Sequence, residues 1–404
     1  MSAPVVVLDA RIPVYALGFA DAAHLFYVGG GGAGRSGVTN NIKAAQVQLR
    51  NGAALRAAGD LPLSAHEDAP MCVAVHPHDA TLVCGVNEPA DQLAQHNAHL
   101  RTYTFDAASR PAARADAGAD AEVSIAPARA LPSLGIADAE HYQRTATFSP
   151  DGALLAVASS DGKVQLHRYP TLEPVWTHAF AVPGGDEVYD TDFSHDGTQL
   201  VVTTGTQLLV LSTAPQTSEA DATTAPRVLQ TIARVTFGTL RGTFRAARFG
   251  RGSGDAGTRG RLFALVNTPA QDKTRASYVV AWDADTWKLL GSRRVAKRPG
   301  TVLSVSPNGR LLAAGTSDLC VSVLQARTLR PLLRAEHAHD FPPTCLTFSP
   351  NSRAVVSASA DATVRMQVLP EGLVPKLSIS DELLFVVFLV LAVLMGVWIA
   401  HRWH

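Results

Sequence analysis

A tight-turn motif that recurs at a fixed spacing, dense glycine and proline punctuation, and one long apolar run predict the fold class. The chain reads as all-β: a seven-bladed, WD-repeat-like β-propeller over residues 1–372, plus one C-terminal transmembrane α-helix. Four copies carry the repeat plainly. They are Phe148-Ser-Pro-Asp-Gly152, Phe193-Ser-His-Asp-Gly197, Val305-Ser-Pro-Asn-Gly309 and Phe348-Ser-Pro-Asn-Ser352, each followed by two further apolar strands. The turn has a physical basis, because proline presets φ and Asp-Gly or Asn-Gly accepts positive φ in a hairpin. Spacings of 45 residues from Phe148 to Phe193 and 43 from Val305 to Phe348 match the period of a propeller blade.

Three weaker copies bring the count to seven. The first joins Val14–Phe19 to His24–Val28. The second joins Met71–Val75 to Thr81–Cys84. The third joins Phe244–Phe249 to Leu262–Val266, with Ala281-Trp282-Asp283 closing its third strand. Val5–Leu8 is expected to add an outer strand to the last blade and close the ring, which removes an open sheet edge. Polar insertions at 106–139, 213–227 and 250–261 read as surface loops. Length alone, at roughly 150 residues per domain, suggests two or three domains. The repeats revise this to one propeller, because each blade buries its faces against its neighbours.

The eighteen residues from Leu383 to Ala400 contain no charge. As a helix they would be about 27 Å long, close to the hydrocarbon core of an endoplasmic reticulum bilayer. The expected order is propeller 1–372 in the cytosol, linker 373–382, span 383–400 and a short lumenal tail 401–404. The tail holds no KDEL-type retrieval signal. Near the N-terminus, Asp9 and Arg11 come too early for the apolar region of a signal peptide. Cys72, Cys84, Cys320 and Cys345 are scattered, without metal or disulfide spacing, and read as buried small hydrophobes in a reducing compartment. Lys and Arg number 35 against 35 Asp and Glu, a balance that argues against a nucleic-acid coat.

One loop stands apart. Six glycines lie between Gly29 and Gly37, in the stretch that runs on to Asn40 and Asn41. Gly29 to Ser36 nearly fits a phosphate loop, with Arg35 at the lysine position, and Gly29, Gly31 and Gly34 match a dinucleotide fingerprint. Both motifs need a following helix to aim backbone N–H groups at the anion, and the residues after this loop alternate like a strand. Two readings remain: a flexible glycine hairpin, or an ordered loop whose inward carbonyls cage a hard cation. The loop joins the second and third strands of blade 1, so it opens on the face that carries the blade-to-blade connections. His66–Pro70 enters blade 2 and His337–Phe341 enters blade 7. Three polar segments therefore converge on one sector of that face, which suits a protein partner. Each histidine alone reads equally as an ordinary capping group that holds neighbouring strands.

The stretch from Val28 to Asn41, on the first blade of a divergent propeller with a C-terminal span, resembles one family. It is similar to the endoplasmic reticulum guanine-nucleotide exchange factors that start COPII coat assembly, the prolactin regulatory element-binding protein family. The resemblance implies exchange on the small GTPase Sar, without covalent chemistry, at the endoplasmic reticulum membrane and with coat components as indirect partners. It also implies a potassium ion held by carbonyls of the Gly29 to Asn41 loop, which would project into the GTPase nucleotide site. By position, Gly31, Gly32, Gly34 and Gly37 correspond to the glycine cluster and Asn40 to the loop asparagine. Asn41 following it leaves two candidates for that role. Asp68 and Pro70 correspond to an acidic-x-proline, and His339 to a histidine entering blade 7. Asn40 is expected at the loop tip as a hydrogen-bonding wedge. A membrane-tethered scaffold without exchange activity is the alternative.

Overall fold

The computed structural model describes residues 4–34, 36–49, 52–107, 123–215, 226–253, 257–269 and 276–373. The expected span 383–400, the tail 401–404 and the linker beyond Leu373 lie outside the described residues. Among the described residues, no helix is long and apolar enough to cross a membrane.

Met1–Leu369 forms one compact unit. Seven four-stranded antiparallel sheets make it up, each with its strands in sequence order from the inside outwards, except the last. Blade 1 comprises Val14–Phe19, His24–Gly29, Asn41–Gln48 and Ala54–Pro62. Innermost strands of successive blades touch around the whole circle, including blade 7 against blade 1. The ring closes as expected: Val5–Asp9 pairs antiparallel with Thr363–Val368, the third strand of blade 7, in the register Val5 to Gln367 and Asp9 to Thr363. Blade 7 is thus built from both ends of the propeller.

The recurrent turn folds the same way four times. In the first copy Ser149 Oγ donates to Asp151 Oδ1 at 2.5 Å, and the Leu154 amide donates to Ser149 Oγ at 2.9 Å. The Gly152 amide closes the turn on the Ser149 carbonyl at φ +77°. Ser194 with Asp196, Ser306 with Asn308 and Ser349 with Asn351 repeat the arrangement. The serine and the Asp/Asn two residues on therefore supply the partners that a tight turn strips from the backbone. Second strands of the blades are largely apolar on both faces, because each is covered by neighbouring blades, and third strands present at least one apolar face to them. Phe26, Leu82, Val157, Leu209, Phe263, Ala313 and Val356 are all essentially inaccessible. Cys72, Cys84 and Cys320 are buried and free, as the sequence suggests, and Cys345 is free and partly buried.

Two differences from the sequence reading are informative. The 106–139 insertion contains the outer strand of blade 2, Val123–Leu131. Its interior Pro127 argues against a strand, but on a sheet edge the missing N–H has no ladder partner to lose. A two-stranded ribbon, Thr236–Phe237 with Leu240–Arg241, also precedes blade 5, and Phe237 stacks on Tyr278 there at 4.0 Å.

Candidate functional site

The site is built on blade 1. Its second and third strands end at Gly29 and Asn41, which face each other in register. The chain between them must leave and re-enter the sheet in a narrow space. A Cβ on Gly29 would lie 1.8 Å from the Pro13 carbonyl oxygen, so only glycine fits there. Gly32 and Gly37 have φ of +76° and +74°, where side chains are strained.

Asn40 organises the loop from its base. The Gly32 amide donates to Asn40 Oδ1 at 2.9 Å, while Asn40 Nδ2 donates to the Gly32 carbonyl at 3.3 Å and to the Glu67 carbonyl at 2.8 Å. Only 1% of Asn40 is accessible, whereas Ala33, Gly34 and Ser36 to Thr39 are exposed. The expected tip position is therefore corrected. The amide side chain is a clamp between the loop and the connection to blade 2, because it satisfies three backbone groups that would otherwise lack partners. Asn41 is also buried. It begins the third strand, with Nδ2 3.4 Å from Asp60 Oδ2 and Oδ1 without a hydrogen-bond partner among the described residues.

The connection to blade 2 lies against this loop. A Cβ on Gly32 would come within 3.1 Å of Asp68 Oδ1, and Pro70 is buried two residues on. Glu67 is not a residue that the sequence pattern singles out, yet it is the hub. Its carbonyl takes the Asn40 bond, and its carboxylate accepts from Arg101 at 2.7 Å, which also donates to Glu88 at 3.0 Å. Burial alone would lower the Arg101 pKa, but the hydrogen bond and charge of Glu67 outweigh it and raise the pKa. These partners come from separate parts of blade 2, so no local spacing announces them.

Tyr15, on the innermost strand of blade 1, donates from its hydroxyl to the Gly30 carbonyl at 3.1 Å. Burial, and then the negative charge of Asp68, raise the Tyr15 pKa and keep that donor protonated. The loop is thus held at Gly30 by Tyr15, at Gly32 by Asn40, and beside Asp68.

His339 is placed differently. The ring is 1% accessible. Nδ1 lies 2.9 Å from Thr363 Oγ1 and 3.1 Å from Asp361 Oδ2, and Nε2 lies 2.8 Å from Ser357 Oγ. Burial lowers its pKa, with the Asp361 carboxylate acting the other way. Such a ring pins the entry of blade 7 to its second and third strands and offers no surface to a partner. Asp361 Oδ2 also accepts from the Asp340 amide, and Ser359 Oγ donates to the Phe341 carbonyl at 3.0 Å. The exposed groups of this connection are His337, Asp340 and the apolar Phe341, the last at 58%.

The oxygen chemistry around the glycines suits a hard monovalent cation. Cβ atoms built on Gly30 and Gly31 would meet Asn40 Oδ1, the Thr39 carbonyl, Ser36 Oγ and the Val38 carbonyl. With Asp68 Oδ1 from the connection to blade 2, these are all oxygen donors beside the glycines.

Comparison with known proteins agrees with this architecture. The family model "WD domain, G-beta repeat" matches residues 140–168 and 330–366. "SEC12-like protein 2" of Arabidopsis thaliana is 27% identical over 84% of this chain and 74% of its own length. "Guanine nucleotide-exchange factor SEC12" of Mus musculus is 25% identical over 89% of each chain. The protein of that name in Candida glabrata is 24% identical over 92% of this chain and 73% of its own. The chain is thus a WD-repeat propeller and, over most of its length, a relative of the SEC12 guanine nucleotide-exchange factors.

Proposed function

We propose that the chain is a guanine-nucleotide exchange factor for a small GTPase of the Sar type, and that the Gly29–Asn41 loop is its working part. The relatives named as exchange factors support this reading over a scaffold without exchange activity. The observation that carries the mechanism is the clamped glycine loop, whose exposed tip stands on a buried base.

A small GTPase holds its nucleotide tightly; picomolar affinity corresponds to about 16 kcal/mol. Exchange needs no bond to be made or broken in either protein. It needs contacts that favour the nucleotide-free state over the bound one. A loop of fixed shape can supply them by occupying space near the phosphate and switch segments. A free chain so rich in glycine would lose much entropy on docking. Tyr15, Asn40 and Glu67 lower that cost by fixing the loop before the partner arrives.

The loop fits the potassium ion that the family resemblance implies. The Val38 and Thr39 carbonyls would hold it, with Ser36, Asn40 and Asp68 as side-chain oxygens. Bound there, the ion would offset the mutual repulsion of converging oxygen dipoles and favour a single loop shape. The apolar run 383–400 would keep the propeller at the cytosolic face of the endoplasmic reticulum, where COPII coat assembly begins. Release of a fluorescent GDP analogue from a Sar-type GTPase, with the full chain in nanodiscs, tests the activity. Acceleration that is lost on disabling the loop supports the reading, and release at the rate of the GTPase alone refutes it.

A further inference from the structure

The propeller carries a second feature on the face of the glycine loop. Tyr15, Arg144, Tyr189, Thr301 and Thr344 are each the second residue of an innermost strand, and Arg245 is the third of its own. All therefore lie at the same end of the central channel. Tyr15 also touches the glycine loop, so this end opens on the loop side. Together they line a cavity of about 430 Å³.

The charges of this cavity do not cancel. Arg144, Arg245 and Arg248 line it against one carboxylate, Asp190. Asp190 is committed, because it pairs with Arg248 and also accepts from the amides of Thr191 and Ala247. Arg144 has its own partner, the Glu187 carboxylate, and donates to the Tyr142 hydroxyl at 2.7 Å. Arg245 makes no salt bridge among the described residues, since Glu187 pairs with Arg144 and Asp190 with Arg248. Its Nε donates to the Thr301 carbonyl at 3.2 Å, and its guanidinium lies 5.1 Å from the centre of the Tyr189 ring. The Arg144 guanidinium stands 5.4 Å from the same ring. The two terminal nitrogens of Arg245 make no hydrogen bond among the described residues. A planar fork held by stacking and by its Nε, with its outer edge free, is the arrangement that grips an oxyanion in bidentate fashion.

We infer that the channel mouth is an oxyanion site, in which the Arg245 fork takes a carboxylate or phosphate group. The partial burial strengthens such a contact, because neighbouring strands screen it less than water would. The site is separate from the Asn40 clamp, and it stands whether or not the chain catalyses exchange. Burial first, and then the nearby Arg144 charge, lower the Arg245 pKa, and the charges of Asp190, Tyr189 and Glu187 act the other way without offsetting them.

The test is isothermal titration of the full chain in nanodiscs with inorganic phosphate and, separately, with glutarate, both against chloride at matched ionic strength. Saturable binding of at least one is expected. Arg245→Gln should weaken it at least tenfold, and Arg245→Lys, which keeps the charge but not the fork, by about threefold to tenfold. Preference for glutarate would assign an acidic protein side chain as the natural ligand, and preference for phosphate a phosphorylated one. Circular dichroism and the thermal midpoint of each variant check that the propeller is intact. If an Arg245→Gln protein failed to fold, Tyr189→Leu, which removes the stacking platform alone, should weaken binding at least threefold. Absence of saturable binding to either anion, or equal binding by wild type and a folded Arg245→Gln protein, would overturn the inference.

Discussion

Replacing Asn40 with alanine removes the loop clamp without touching the exposed tip. Three hydrogen bonds disappear: those with the Gly32 amide, the Gly32 carbonyl and the Glu67 carbonyl. At a net ~0.5–1.5 kcal/mol each, the clamped loop loses about 2–3 kcal/mol relative to open conformers. Each 1.4 kcal/mol is about a factor of ten in an equilibrium constant, so the ratio of clamped to open loop falls roughly 30- to 100-fold if the clamp alone holds it. Tyr15 still holds Gly30, and a fall of about tenfold is the lower bound expected. Stimulated nucleotide release should drop by the same factor. Global stability should hardly change, because the blade 1 strands keep their ladders. Hydrogen exchange supplies an independent readout, since the Gly32 amide should lose its protection while amides of Phe26 and Ala44 keep theirs. Unchanged release together with an unchanged Gly32 exchange rate would refute the clamp.

Other expectations follow from the same geometry. Gly32→Ala places a Cβ at φ +76° and 3.1 Å from Asp68 Oδ1; at about 1–2 kcal/mol of strain, nucleotide release should slow roughly 5- to 30-fold. Gly34→Ala meets nothing within 4 Å, so its release rate should stay within about twofold of wild type; a large loss there would place the functional glycine at the tip. Exchange should run faster in potassium than in sodium at equal ionic strength, and equal rates would remove the ion from the account. His339→Ala should act on stability, since it strands Ser357 Oγ and takes one partner each from Asp361 and Thr363; a loss of about 3 kcal/mol is expected in urea unfolding. His99 donates from Nδ1 to Gln143 Oε1 at 2.9 Å and accepts from the Leu134 amide through Nε2 at 3.0 Å, and burial pushes its pKa down to about 4. Its neutral form is native, so its stabilising effect is complete above the unfolded pKa of ~6.5 and is lost as pH falls towards 4. At pH 5 that loss is about 2 kcal/mol, measurable as a lower unfolding midpoint that a His99→Gln variant should not share.

The propeller was legible because its turns repeat a local chemistry. Ser149, Asp151 and Gly152 solve one turn within five residues, and the same solution recurs at Ser194, Ser306 and Ser349. Closure by Val5–Asp9 was legible for a different reason, since a seventh blade without it would expose an apolar edge. The outer strand Val123–Leu131 was not, because strands at the rim are half exposed and tolerate Pro127. At the candidate site the sequence located the loop but not its mechanics. Asn40 enters through the family resemblance as the loop asparagine, and a polar residue beside glycines reads as readily exposed as buried. Its partner is the Glu67 carbonyl, a backbone group on another blade connection, which no side-chain pattern encodes. The Glu67–Arg101–Glu88 chain likewise links residues distant in sequence. His339 carried an ambiguous signal, as a capping residue or a contact, and its burial among Ser357, Asp361 and Thr363 assigns the ring to the blade.

The central claim is that a preformed glycine loop makes this propeller an exchange factor. Its most direct test is stopped-flow release of a fluorescent GDP analogue from a Sar-type GTPase, with the full chain in nanodiscs and potassium buffer, comparing wild type with Asn40→Ala. The account predicts clear acceleration by wild type over the GTPase alone, and at least a tenfold loss of that acceleration in the folded variant. Release no faster with the wild-type chain than without it would contradict the account.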